Sequence, residues 1–280
     1  DVLRLALSPQ RHRLDHGKGG DRPRALCPPC ERGSGFPESG AGRLVGRRIG
    51  ERVEVYRLDA ADNLIEKPGL EGVEVMAGNR LVAANGERFS YNDRNHVAVR
   101  EGAGGRVEYR YDSFDQLVAI ERREGVWEAE YDILGRRVCK RWLGQRTEFY
   151  WQGDQLAAEV GADGRVRIYV YADPLALAPF MMLDYGSVEA DVGECRRFYV
   201  FSDQLGAPGF VEDDEGRGVW AALVGPYGVA EVSGEVEIEC CLRWPGHYFD
   251  SETGLNYNRF RYFDSGLGRY LESDPLGIAG

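Results

Sequence analysis

Gly105-Arg106-Val107-Glu108-Tyr109-Arg110-Tyr111-Asp112-Ser113-Phe114-Asp115 and, twenty residues on, Gly125-Val126-Trp127-Glu128-Ala129-Glu130-Tyr131-Asp132-Ile133-Leu134-Gly135 decide the fold. In the first stretch Val107, Tyr109 and Tyr111 alternate with the charged Glu108 and Arg110. In the second, Trp127, Ala129 and Tyr131 alternate with Glu128 and Glu130. A period of two places each apolar set on one face of a strand, so one side of the sheet is buried and the other wet.

The same unit extends in both directions. Tyr91-Asn92, Tyr111-Asp112 and Tyr131-Asp132 are spaced by twenty residues, Tyr150-Trp151 stands near the next step, Tyr171 at the one after, and Tyr56 opens a looser copy. A period of about twenty fits one β-hairpin with its turns. Val166, Ile168 and Val170 beside Arg167 read as a further strand, as do Val236, Ile238 and Cys240 beside Glu235, Glu237 and Glu239. Three residues after each turn-opening polar residue stand Asp62, Asn95, Asp115 and Gly135, with Gly206 following Asp203. All of these tolerate positive φ. The Asp or Asn that opens the turn can bond the backbone two residues on, so it reads as a turn-closer and not as a catalytic acid.

Composition agrees. Among 280 residues there are 37 glycines, 15 tyrosines and only 3 methionines, with 43% hydrophobic residues, which suits short strands and tight turns. The net charge of −11 argues against a general nucleic-acid binder. No stretch reaches the roughly 18–20 apolar residues of a membrane span. Residues 1–50 differ, with ten Lys/Arg against five acids and no sustained period, and read as a poorly ordered Arg/Gly/Pro-rich leader. Neither an initiator Met nor a signal-peptide core is visible, and the sequence stops inside a turn-like motif, so a fragment of a longer chain is expected.

The motif Y-D-x-x-G-R-x within residues 131–138 resembles the YD repeat of bacterial RHS proteins, insecticidal toxin-complex C components and animal teneurins. L-R-W-P-G-H-Y-F-D-S-E-T-G-L-N-Y-N-R-F-R-Y-F-D at 242–264, with G-R-Y-L-E-S-D-P-L-G at 268–277, resembles the RHS-repeat-associated core, and F-S-D-Q-L-G-A-P at 201–208 the strand and turn before it. The resemblance covers roughly residues 51–280. It implies an all-β fold of antiparallel hairpins in a curved or spiralling sheet, a segment of a cocoon. Repeats would occupy residues 51–240 and the core 241–280, the core coiling inside to plug one end. It further implies that the cocoon encloses a C-terminal toxin polypeptide, secreted or delivered from a bacterial cell, with a component of a secretion apparatus as a further partner. An extracellular carbohydrate- or cell-surface-binding protein is the alternative.

The resemblance also implies aspartyl-type self-cleavage in the full-length parent. Asp274 is the candidate carboxylate and Arg269 its candidate charge partner, with a second aspartate expected beyond this sequence, so the fragment itself is not expected to be an enzyme. Two carboxyls held together split their pKa values, one acting as acid and the other activating water. Cys27, Cys30, His12 and His16 could together give two thiolates and two imidazoles, the ligand set of a structural zinc site, and are the weaker alternative to no metal site. No strand or knuckle pattern frames them, and no metal or other cofactor is expected. The six cysteines are too scattered for a disulfide scaffold. His96 and His247 read as packed side chains.

Overall fold

The computed structural model describes residues 42–234 and 236–276. Sixteen consecutive strands, from Glu74–Met76 to Ala230–Ser233, form one antiparallel sheet in strict chain order. Every neighbour in sequence is a neighbour in space, as a run of hairpins must be. The one helical turn among the described residues is a 3-10 segment, Val192–Glu194. The parity expected for the repeats holds: Tyr109, Trp127, Ala129 and Phe149 are buried on one face. The aromatic stripes are therefore packing surfaces. On the opposite face a smaller cluster of Val166, Ile168, Leu183 and Tyr185 packs beneath Ala190 and Cys195.

The turns follow one chemical rule. Asp62, Asn95, Asp115, Gly135 and Gly206 all have positive φ, 63°, 62°, 65°, 74° and 86°. Asp112 Oδ1 accepts from the backbone N–H of Phe114 at 2.8 Å and of Gln116 at 3.0 Å. Asp132 does the same for Leu134 and Arg136, and Asp203 for Leu205 and Ala207.

The repeat tyrosine has a separate task. The Tyr111 hydroxyl donates to Val97 O at 2.9 Å and the Tyr131 hydroxyl to Leu117 O at 2.6 Å, each fourteen residues back. Trp151 Nε1 donates to Arg137 O at 2.7 Å over the same span. Tyr171 reaches Leu156 O at 3.0 Å. Trp151 thus occupies the position twenty residues after Tyr131 because an indole N–H can replace a phenol O–H there.

Three expectations are corrected. Residues 236–240 are not a strand: Ile238 and Cys240 are buried, but the segment leaves the sheet edge for the core, touching it through Glu237 N and Val219 O at 3.0 Å. The boundary at residue 50 falls inside a hairpin, Gly46–Ile49 with Arg52–Val55, because Arg47 is anchored by donating to Val224 O at 3.2 Å. The core is not confined to one end. Its four-stranded sheet, Tyr248–Asp250 to Arg269–Tyr270, is tied to strands across the breadth of the large sheet: Asp264 to Arg100, Glu252 and Thr253 O to Arg122, Asp250 to Arg137, and Tyr248 to Glu159.

The large sheet is not closed by backbone pairing, yet the hairpins that precede it bridge its two ends through side chains. Arg52 donates to both carboxylate oxygens of Glu231 at 3.0 and 2.8 Å, on the last strand, and Tyr56 packs on Tyr227 at 5.6 Å. A few residues on, Asn63 donates to Asn79 Oδ1 at 3.0 Å, beside the first strand. The N-terminal hairpins form a seam between the ends, and the strand edges are less open than the repeat count alone suggests.

Candidate functional site

The core segment docks through a buried ion cluster. Arg137 and Asp250, 1% and 0% exposed, pair through two bonds, Nη1–Oδ2 at 2.5 Å and Nη2–Oδ1 at 3.0 Å. Lys140 Nζ bridges Asp250 at 2.9 Å and Glu252 at 2.7 Å. Burial opposes ionisation of Asp250, but Arg137 and Lys140 outweigh it and hold its carboxyl below the ordinary carboxylate range. The guanidinium sits among aromatic rings, closest to Tyr257 at 4.5 Å and Phe149 at 4.7 Å. Around it, the Tyr131 and Tyr262 hydroxyls bond at 2.8 Å, and Phe149 meets Tyr248 edge to face.

Local sequence explains the placement. Tyr248-Phe249-Asp250 and Tyr262-Phe263-Asp264 repeat after fourteen residues and close the same turn. Gly254 N–H donates to Asp250 O at 2.8 Å, and Gly268 N–H to Asp264 O at 2.7 Å. Arg137 stands where Val97 and Leu117 stand forty and twenty residues earlier, an inward position. A charge in an apolar register was the signal available in the sequence, and the pairing with Asp250 was missed there.

Asp274 and Arg269 are not brought together. Asp274 Oδ2 pairs with Arg261 at 2.9 Å, and its Oδ1 accepts from Leu276 N–H at 2.9 Å, as in the repeat turns. Arg269 donates instead to Asn79 O at 2.7 Å and to Asn63 Oδ1, tying the core to the N-terminal hairpins. Burial raises two carboxyls of the core, Asp264 and Glu272, the latter pushed up to about 8 although Tyr262 N–H donates to it at 2.8 Å. His96 and His247 are packed, His247 against Trp244 and Phe263, and burial pushes its imidazole down to about 4. His12, His16, Cys27 and Cys30 lie outside the described residues. Among the described residues no group of three or more His, Cys, Asp or Glu could hold a metal, and no helix is long and apolar enough to cross a membrane.

Comparison with known proteins places this geometry in a family. The teneurin YD-shell model matches residues 40–277. Double-stranded DNA deaminase toxin A of Burkholderia cenocepacia is 32% identical over 88% of this chain, and toxin protein Tse5 of Pseudomonas aeruginosa 28% identical over 85%. The chain spans only 19% and 23% of those relatives. The solved TcdB2-TccC3-TEV structure is 14% identical, covers 86% of this chain and 17% of its own, and has a TM-score of 0.46. A match running from the first hairpin through the docked core makes this chain a member of the teneurin YD-shell family.

Proposed function

We propose that this chain is a wall segment of a shell that encloses a C-terminal toxin polypeptide in a longer bacterial protein, delivered out of the cell. The carrying observation is the docked core. A segment at the C-terminal side of the sequence lies across one face of a sixteen-stranded sheet and is fixed there by the buried Arg137–Asp250 pair. That distinguishes a lined face from an outer face, as a container requires. The names of the bacterial relatives, a deaminase toxin and a toxin protein, support this reading. The activities in those names belong to proteins of which this chain spans only 19% and 23%.

The test is limited proteolysis of the longer polypeptide, with the segment C-terminal to the core followed by mass spectrometry. That segment should resist protease in the wild type and become sensitive in Asp250→Asn, which weakens core docking. Equal sensitivity in both proteins, with the shell folded, would refute enclosure.

A further inference from the structure

A cavity of about 330 Å³ lies between the sheet and the core, walled by Phe149, Trp151, Tyr171, Leu177, Trp244 and Tyr257. Its size falls at the lower end of ligand cavities, roughly 300–1,000 Å³. The walls are apolar, and the charged groups lining it are three arginines, Arg137, Arg243 and Arg259, against one carboxylate, Asp154.

Arg243 lines the cavity and is 8% exposed, yet among the described residues it has no carboxylate within ion-pair distance. Its Nη1 donates only to backbone carbonyls, Cys240 O at 2.7 Å and Leu242 O at 2.8 Å, and its guanidinium covers the Phe249 ring at 4.6 Å. Glu239 acts on it only at longer range. A buried charge without a counter-ion is costly unless something else neutralises it. Arg137 and Arg259, which also line the cavity, have their charges met by Asp250 and by Asp154 at 2.8 Å, and each keeps one buried N–H, Nε and Nη1, without an acceptor. Arg243 is thus the one lining arginine with no carboxylate partner among the described residues.

We propose that this cavity is a binding site for an aromatic acid: a flat ring system seated among the aromatic walls, with a carboxylate on a short spacer neutralising Arg243. The source is either a free small acid or a peptide segment carrying an aromatic side chain beside an aspartate. This inference rests on the cavity and does not depend on enclosure of a toxin.

The test is isothermal titration calorimetry of the whole chain with indole-3-acetate, neutral indole and the capped dipeptide N-acetyl-Trp-Asp-amide. Indole-3-acetate or the dipeptide should bind at least about tenfold more tightly than indole, the scale of one charge-assisted bond. Arg243→Met, which keeps the apolar volume, should erase that difference. Ala178→Trp, which fills the cavity and leaves Arg243 in place, should abolish binding. Binding of indole-3-acetate alone identifies a free acid, and binding of the dipeptide identifies a peptide segment. Absence of binding by both acids, equal affinity for indole, or full affinity in the filled Ala178→Trp protein would overturn the site. The indole comparison is made on the wild type, so it holds even where Arg243→Met fails to fold.

Discussion

Asp250→Asn isolates the contribution of charge at the centre of the docking site. The substitution keeps the shape of the side chain but leaves Arg137, 1% exposed, and Lys140, 12% exposed, without the carboxylate they share. Removing one partner from a buried pair costs about 3–5 kcal/mol, because the remaining charge stays desolvated. Lys140 retains Glu252 at 2.7 Å, so the loss falls mainly on Arg137. Urea unfolding followed by near-ultraviolet circular dichroism and tryptophan fluorescence is suited to the measurement, since Trp127 packs against Tyr262 beside the pair. Arg137→Met/Asp250→Leu, which removes both charges, should recover most of the loss. The pH dependence has a defined sign. The folded carboxyl titrates below its ordinary value of 3.8, so its contribution is present above that pH and is lost as pH falls through the folded pKa. In Asp250→Asn this acid-side loss should be absent. A cost under about 1 kcal/mol, the scale of an exposed ion pair, would refute the assignment of Asp250 as the docking keystone.

Other outcomes follow from single sites. Gly135→Val should destabilise by about 1–3 kcal/mol in thermal melts, because φ is 74° and an added Cβ would lie 3.1 Å from Phe260 Cε1. Burial raises the Glu272 carboxyl from 4.5 to about 8, so the stability tied to its neutral form is complete below pH 4.5 and drains as pH rises toward 8. Glu272→Gln should therefore be more stable than wild type at pH 8 and equal to it at pH 4, by denaturant midpoints. In a chain extended by about forty native residues past the core, a length set by about two hairpin repeats, gel analysis should show self-cleavage that Asp274→Asn abolishes; an intact extended wild type would end that assignment.

The hairpins were legible because they are local. Parity along 105–111 and 125–131 reports the strands, and residues that tolerate positive φ mark the turns whatever lies elsewhere. The same parity misled at 236–240, where burial comes from the crossover into the core and no partner strand is present. The docking site and the seam were not legible as contacts. Arg137 and Asp250 are 113 residues apart, and Arg52 and Glu231 are 179 apart. Nothing in a hairpin pattern fixes how far the sheet curls. The Asp274–Arg269 pairing failed for a similar reason: proximity in sequence favoured Arg269, but the core folds back to bring Arg261 to Asp274.

The aromatic donor recurring at Tyr111, Tyr131 and Trp151 acts as a ruler. Each reaches back fourteen residues to a carbonyl just beyond the preceding turn, so it gauges the length of the hairpin between. In these three units an inserted residue would bring the wrong carbonyl under the donor and turn the strand inside out, whereas the next donor, Tyr171, spans fifteen residues to Leu156 O. The turn tips escape this gauge. Phe114, Leu134 and Leu205 lie exposed beyond the Asp-closed loops, where the gauge makes no demand on their side chains. Such a ribbon can be lengthened by whole units without redesign, its metre kept by one hydrogen bond per unit while its margins vary.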